Sequence, residues 1–285
     1  MIRRSGARTA GLRLFGVDFT SAPRTRKPIV VVEGGLDDET LELTAVERLT
    51  AWPAFEAFLE LPGPWIAAFD LPLGLPHGVR EALGWPHDWR QLMRQLAALP
   101  RADYVSALDR LRETRPMGAR YIHRRCDYAA GSSSPMKLVN PPVGLMLFEG
   151  ATRIARAGLS VLPCAPSADP RIAVEGYPGF LARALGVGSY KHDARAGQTP
   201  ARRQERVRLV AALDGWLRDQ TGRHLCWGEP LRAACVEDAT GDTLDAVVLT
   251  AQAAFAAHQT TRGEAVAPPD SDPAEGWIVG VAWPR

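Results

Sequence analysis

Two stretches of this sequence, LRLFGVD at 12–18 and WIAAFD at 65–70, are strand-like, rich in apolar residues, and end on an aspartate. Runs of this kind read as strands buried on both faces, which restricts the chain to a sheet covered by helices. The terminal aspartates are the costly residues, because a carboxylate at the mouth of a buried strand needs something positive against it. A third run, RIAVE at 171–175, ends in Glu175. Asp242 and Asp245 open the apolar helix expected from DTLDAVVLTAQAAFAAH, three residues apart and so on one side of it. A single strand-end aspartate is ordinary turn chemistry, and either helix-start aspartate alone is ordinary capping or dipole chemistry. Their recurrence is what matters, since strand ends of one sheet face a common crevice. Four or five carboxylates converging there repel one another without a cation. Hard divalent ions with oxygen ligands, Mg²⁺ or Mn²⁺, answer that need.

The remaining pattern predicts the surroundings of these acids. Strands are expected at 27–36 and 39–46, paired as a hairpin, then a helix at 49–61 before the strand at 65–69. Two helices at 88–99 and 102–114 and a Gly/Ser-rich loop at 128–144 follow, then a helix at 144–158 and strands at 159–163 and 171–175. Thr199, Pro200 and Gly222 punctuate a helix at 199–222. The last helix spans 242–258, and GWIVGVAW at 276–283 reads as a final edge strand. Strands first and then alternating strands and helices give an α/β chain with a mixed sheet. One domain over 1–285, with a helical and loop insertion at about 77–140, is the expected organisation.

Net charge is only +2, so any basic surface is local. No apolar run reaches membrane-span length, and the start, MIRRSGARTAGL, lacks the apolar core of a signal peptide. Four scattered cysteines with no CxxC suggest reduced thiols and no zinc site. A cytoplasmic protein with no membrane partner is expected. Arg outnumbers Lys 31 to 3, the bias of a GC-rich bacterial genome, which makes each lysine informative. Lys137 in SSPMKLVNPP and Lys191 in GSYKHD fall inside motifs, where a compact ammonium suits a phosphate or a metal-bound water. Two arginine clusters, with Arg120, Arg124 and Arg125 in the first and Arg202 and Arg203 in the second, are candidate nucleic-acid contacts. A solvated helix face explains either cluster equally simply.

The ordered set GVDFTSAP, FDLPLGLP, SSPMKLVNPPVGLMLFEG, VEGYPG and DTLDAVVLTAQA resembles the motifs of the DUF429 family, predicted ribonuclease H-like nucleases, over roughly residues 12–258. The resemblance implies an RNase H-like fold: a five-stranded sheet, its first three strands antiparallel, flanked by helices. It implies that Asp18, Asp70, Glu175 and Asp245 match the family's acidic positions, with Asp242 beside them. In related nucleases such acids hold two metal ions. The expected chemistry is phosphodiester hydrolysis with two Mg²⁺ or Mn²⁺ ions. Asp18 would bridge them, Asp70 and Asp245 would each hold one, and Glu175 would complete a shell. The substrate would be nucleic acid or a nucleotide; the sequence leaves the oligomeric state open, a homodimer being the arrangement of junction-cleaving relatives of the fold. Two alternatives stand beside this. One is a catalytically idle module that binds a nucleotide or a partner. The other is an actin-like ATPase or kinase, whose first phosphate loop GVDFTS also resembles, although no second Gly-rich loop follows.

Overall fold

The computed structural model describes residues 11–282. Residues 1–10, where no signal peptide was expected, and Trp283, the end of the expected edge strand, lie outside the described residues.

In chain order the strands are β1 (Leu12–Asp18), β2 (Ile29–Leu36), β3 (Thr40–Leu49), β4 (Trp65–Phe69), β5 (Ser160–Leu162), β6 (Arg171–Glu175) and β7 (His224–Cys226). They form one sheet in the order β5-β6-β4-β1-β2-β3-β7. β1 to β3 are antiparallel, whereas β4 runs parallel to β1 and to β6. The sheet therefore has seven strands, not five. The two extra ones, β5 and β7, are three residues each and sit one at either edge. β5 falls within the strand expected at 159–163, whereas β7 was not expected, its three residues carrying too little alternation to announce it. GWIVGVAW is not a strand: Gly276 and Gly280 take φ of 76° and 87° and turn the chain, leaving Ile278 in a single bridge to Glu175.

The helices are α1 (Trp52–Leu59), α2 (His77–Leu83), α3 (Trp89–Ala98), α4 (Arg101–Glu113) and α5 (Arg125–Ala130). A wider turn joins α6 (Val143–Met146) to α7 (Thr152–Arg156). Then come α8 (Pro178–Ala184), α9 (Pro200–Thr221), α10 (Glu229–Glu237) and α11 (Asp242–Thr261). The expected punctuation of α9 is present, with the Thr199 hydroxyl accepting from Arg202 N and Gly222 at φ 75°. On one face of the sheet Phe15, Val17, Trp65 and Phe69 pack with Phe55, Phe58 and the residues of α3 and α4. On the other Leu14, Ile66, Ala68 and Val174 pack under α9 and α11. Among the described residues no helix is long and apolar enough to cross a membrane.

One contact sets the geometry that follows. A Cβ on Gly16 of β1 would stand 2.0 Å from the carbonyl oxygen of Ala246 and 2.3 Å from the amide nitrogen of Thr250. Only glycine lets α11 lie this close to the central strand. The first turn of α11 is thereby carried over the strand ends.

Candidate metal centre

β1 and β4 pair with Val17 opposite Phe69, and the Asp70 amide donates to the Val17 carbonyl at 3.0 Å. Asp18 and Asp70 are therefore lateral neighbours, one residue beyond the last paired rung. Side chains alternate along a strand, so both lie on the face of Leu14 and Ala68, beneath α11. The start of α11 brings Asp245 down onto them. One carboxylate oxygen from each of Asp18, Asp70 and Asp245 lies within 4.8 Å of the others. Asp18 is 6% exposed, Asp245 is fully buried and Asp70 is half-buried.

The members of this trio differ in their partners. Asp245 is held on both oxygens, by the Tyr190 hydroxyl at 2.6 Å and by the Lys191 ammonium. The Lys191 stem is open to solvent while its head reaches the buried acid. Beside them Lys27 donates to Asp242 at 2.8 Å and to Asp193 at 3.3 Å. Arg206, buried on α9, donates to the Tyr190 carbonyl at 2.8 Å and to the Val236 carbonyl at 2.7 Å, which anchors the strand-like segment carrying Tyr190 and Lys191. Among the described residues no donor reaches the carboxylate of Asp18 or of Asp70.

The electrostatics follow from that difference. Burial first, then the charge of Asp245, raises the Asp18 pKa well above the usual carboxylate range against the pull of Lys191. Burial pushes Asp70 up to about 7, with Lys191 opposing and Asp245 and Glu175 adding to the rise. Asp245 is raised by burial, although Lys191 and Tyr190 work against it. Burial disfavours the Lys191 ammonium, but Asp245, Tyr190, Asp18 and Asp70 outweigh it and raise its pKa. The centre is short of positive charge.

Glu175 does not join the trio. β4 and β6 pair Phe69, not Asp70, with Glu175. That offset of one residue turns Glu175 to the opposite face of the sheet, because the side-chain period is two. There it meets Arg124, which donates to its two oxygens at 2.6 and 2.7 Å, while the Leu73 amide donates at 3.0 Å. Arg124 also binds Asp127 at 2.8 Å and the Glu275 carbonyl at 2.9 Å. Only 2% exposed and with its donors engaged, Arg124 is a structural counterion rather than a phosphate contact. Desolvation is the reason: a buried carboxylate pair would be untenable without it.

The other predicted contacts are placed as follows. Arg125 pairs with Asp270 at 2.7 Å, and Arg120 is exposed. Arg202 donates to Ser189 Oγ at 3.1 Å and to the Gly197 carbonyl, and Arg203 pairs with Glu237. Lys137 is half-buried on the loop before α6 and does not line the pocket around the acids. Arg206 belongs to the second arginine cluster, but it is buried and donates to backbone carbonyls instead of facing a phosphate; Lys27 and Tyr190 carry no expectation from the sequence. Lys27 was within reach, being the third of only three lysines; a tyrosine carries no such signal.

A cavity of about 930 Å³ opens over the centre. Asp18, Asp70, Asp242, Glu175, Lys27 and Lys191 lie on its walls, as do Pro141, Pro142, Val143, Met146 and Tyr177.

A mixed sheet with a buried carboxylate trio at the ends of its parallel strands, roofed by a helix start, defines an α/β protein with an acidic pocket. The chain belongs to the DUF429 family, described as "Protein of unknown function", which it matches over residues 16–274, all five acids included. No curated protein and no solved structure matches it significantly.

Proposed function

We propose that the protein is a divalent-metal-dependent phosphodiesterase built on an RNase H-like sheet, with Asp18, Asp70 and Asp245 as the residues that would hold Mg²⁺ or Mn²⁺. One observation carries this reading: Asp18 and Asp70 keep carboxylates at the ends of two central strands with no donor against either among the described residues, within 4.8 Å of a third acid. Leaving carboxylates so placed without a cation is expensive, and oxygen-only donors suit hard divalent ions. The antiparallel β1–β3 with parallel β4 and β6 supports the fold assignment. Four carboxylates against the ammonium groups of Lys27 and Lys191 leave two negative charges, which one divalent ion neutralises. The second ion implied by the family resemblance would take the place of one of the two lysines.

A bound ion would supply Lewis-acid activation of water and stabilisation of the leaving oxygen. The protein's own residues do the positioning. Tyr190 and Lys191 fix the orientation of Asp245, Arg206 fixes the backbone that carries them, and Lys27 restrains Asp242. Lys191 and Lys27 hold two ammonium groups beside the acids, where a phosphate oxygen would be attracted. The test is Mn²⁺ calorimetry together with Mn²⁺-dependent hydrolysis of a panel of phosphodiesters. Binding that Asp18→Asn or Asp70→Asn removes, with hydrolysis that falls with it, is the expected outcome. No heat of binding at millimolar Mn²⁺ would sink the reading, and binding without hydrolysis of any phosphodiester would leave the idle module in its place.

A further inference from the structure

The substrate class can be taken further, on the footing that the site is a phosphodiesterase. We infer that it acts on small nucleoside phosphodiesters carrying one or two phosphates, and not on a nucleic-acid strand held along a basic track.

The cavity itself has the size of a small-molecule site. Its volume of about 930 Å³ lies near the top of the range for drug-sized ligands, roughly 300–1,000 Å³. Its lining mixes the two kinds of surface such a ligand would need: acids and the ammonium groups of Lys27 and Lys191, and the apolar Pro141, Pro142, Val143, Met146 and Tyr177. An aromatic base suits the apolar and aromatic residues, while its phosphodiester suits the charged ones.

Four of the five arginines expected to meet a strand are engaged with other groups. Each backbone phosphate that a protein neutralises requires a free Lys or Arg, and strand binding uses several. Arg124 is buried against Glu175 and Asp127. Arg125 is paired with Asp270, Arg203 with Glu237, and Arg202 with the 189–197 segment it pins. The cations on the cavity walls are Lys27, Lys191, Arg183 and the buried Arg124, and the first two already face acids. Arg183 leans over the Tyr177 ring at 5.3 Å and donates to the Ala130 carbonyl. A ligand with one or two phosphates would find its countercharge inside the cavity, in Lys27 and Lys191.

The experiment uses the full chain with Mn²⁺ and compares the p-nitrophenyl ester of thymidine 5′-phosphate and a dinucleotide with single-stranded and duplex oligonucleotides. The expected kcat/KM for the small esters equals or exceeds that for the oligonucleotides per scissile bond. It should fall less than about 10-fold between 50 and 200 mM salt, the loss set by one or two phosphate contacts. Hydrolysis confined to oligonucleotides, with a loss of about 10³-fold or more over that salt range, overturns the inference and leaves the phosphodiesterase reading standing. No hydrolysis of any substrate by the Mn²⁺-bound protein removes that reading, and this one with it.

Discussion

Asp70 and Glu175 leave the sheet on opposite faces, although both close a parallel strand and both line the same cavity. The one-residue offset between β4 and β6 divides the acids into two compartments. Toward α11 lie Asp18, Asp70 and Asp245, short of positive charge. Behind them Glu175 and Asp127 share the buried Arg124. In the first compartment Asp18 and Asp70 meet no donor among the described residues, whereas the second contains a buried cation.

Arg124 should therefore matter to stability. Arg124→Met strands two buried carboxylates, and breaking a buried pair by removing one partner costs about 3–5 kcal/mol. Urea unfolding measures it directly. A midpoint equal to that of the wild type would mean that Arg124 is free to bind phosphate after all.

The same substitution should have opposite signs at two members of the trio. In the metal-free protein Asp70→Asn removes a charge that no donor meets, and stability should rise by about 1 kcal/mol. Asp245→Asn takes the charged partner from Lys191 and weakens the Tyr190 bond, and stability should fall by about 1–3 kcal/mol. Both variants should lose the Mn²⁺-induced rise in melting temperature, since a neutral amide is a poor ligand for a hard cation. Equal shifts of one sign in the metal-free proteins would contradict the asymmetry of their partners.

Asp70 also predicts a pH dependence. Its pKa is raised from 3.8 to about 7 in the folded, metal-free protein, so the fold binds this proton more tightly than the unfolded chain does. Its contribution is fully present below the unfolded value and is lost as pH rises through 7. Stability, and the melting temperature with it, should therefore increase as pH falls from about 8 to about 5.5, the free energy by at most about 1.4 kcal/mol per pH unit for one group. Asp18 and Asp245 act in the same direction. His258, whose pKa burial and then Arg223 lower, opposes them within this window, whereas Asp169 and Asp272, whose pKa values are lowered, lose their contribution only below the usual carboxylate range, outside it. The slope should flatten in Asp70→Asn. Mn²⁺ affinity should run the other way and weaken as pH drops below 7, because bound ligands must be deprotonated.

Much of this was readable in the chain because the residues concerned obey local rules. LRLFGVD and WIAAFD are long enough to declare buried strands, and Thr199, Pro200 and Gly222 mark the ends of α9. Asp18, Asp70 and Asp245 were legible as a group for the same reason, each standing where an element ends. What escaped was set by tertiary pairing. Nothing in RIAVE tells that Glu175 rather than Gly176 comes level with Phe69. That single register choice decides its face. The burial of Arg124 depends on Glu175 and Asp127 arriving beside it from other elements, so HRRC looks like any surface cluster. β7 and the partnership of Lys27 with Asp242 arise between segments more than 180 residues apart, beyond any local signal.

Gly16 joins the fold to the centre most directly. Alanine there would place its Cβ 2.0 Å from the Ala246 carbonyl oxygen and 2.3 Å from the Thr250 amide, so α11 must move off β1. Both obstacles are backbone atoms of a buried helix and cannot rotate away. Overpacking of this kind costs about 1–3 kcal/mol or more. The displacement should also carry Asp245 away from Asp18 and Asp70, since it lies one residue before Ala246 on the same helix. Gly16→Ala is therefore expected to lose both stability and Mn²⁺ binding, although it touches no carboxylate. Gly35→Ala is the control, with open space where its Cβ would stand on β2 and only the neighbouring strand pairing to disturb. Mn²⁺ calorimetry at a temperature where both variants remain folded separates the two effects. Full Mn²⁺ affinity in folded Gly16→Ala would show that the approach of α11 to β1 does not set the spacing of the acids.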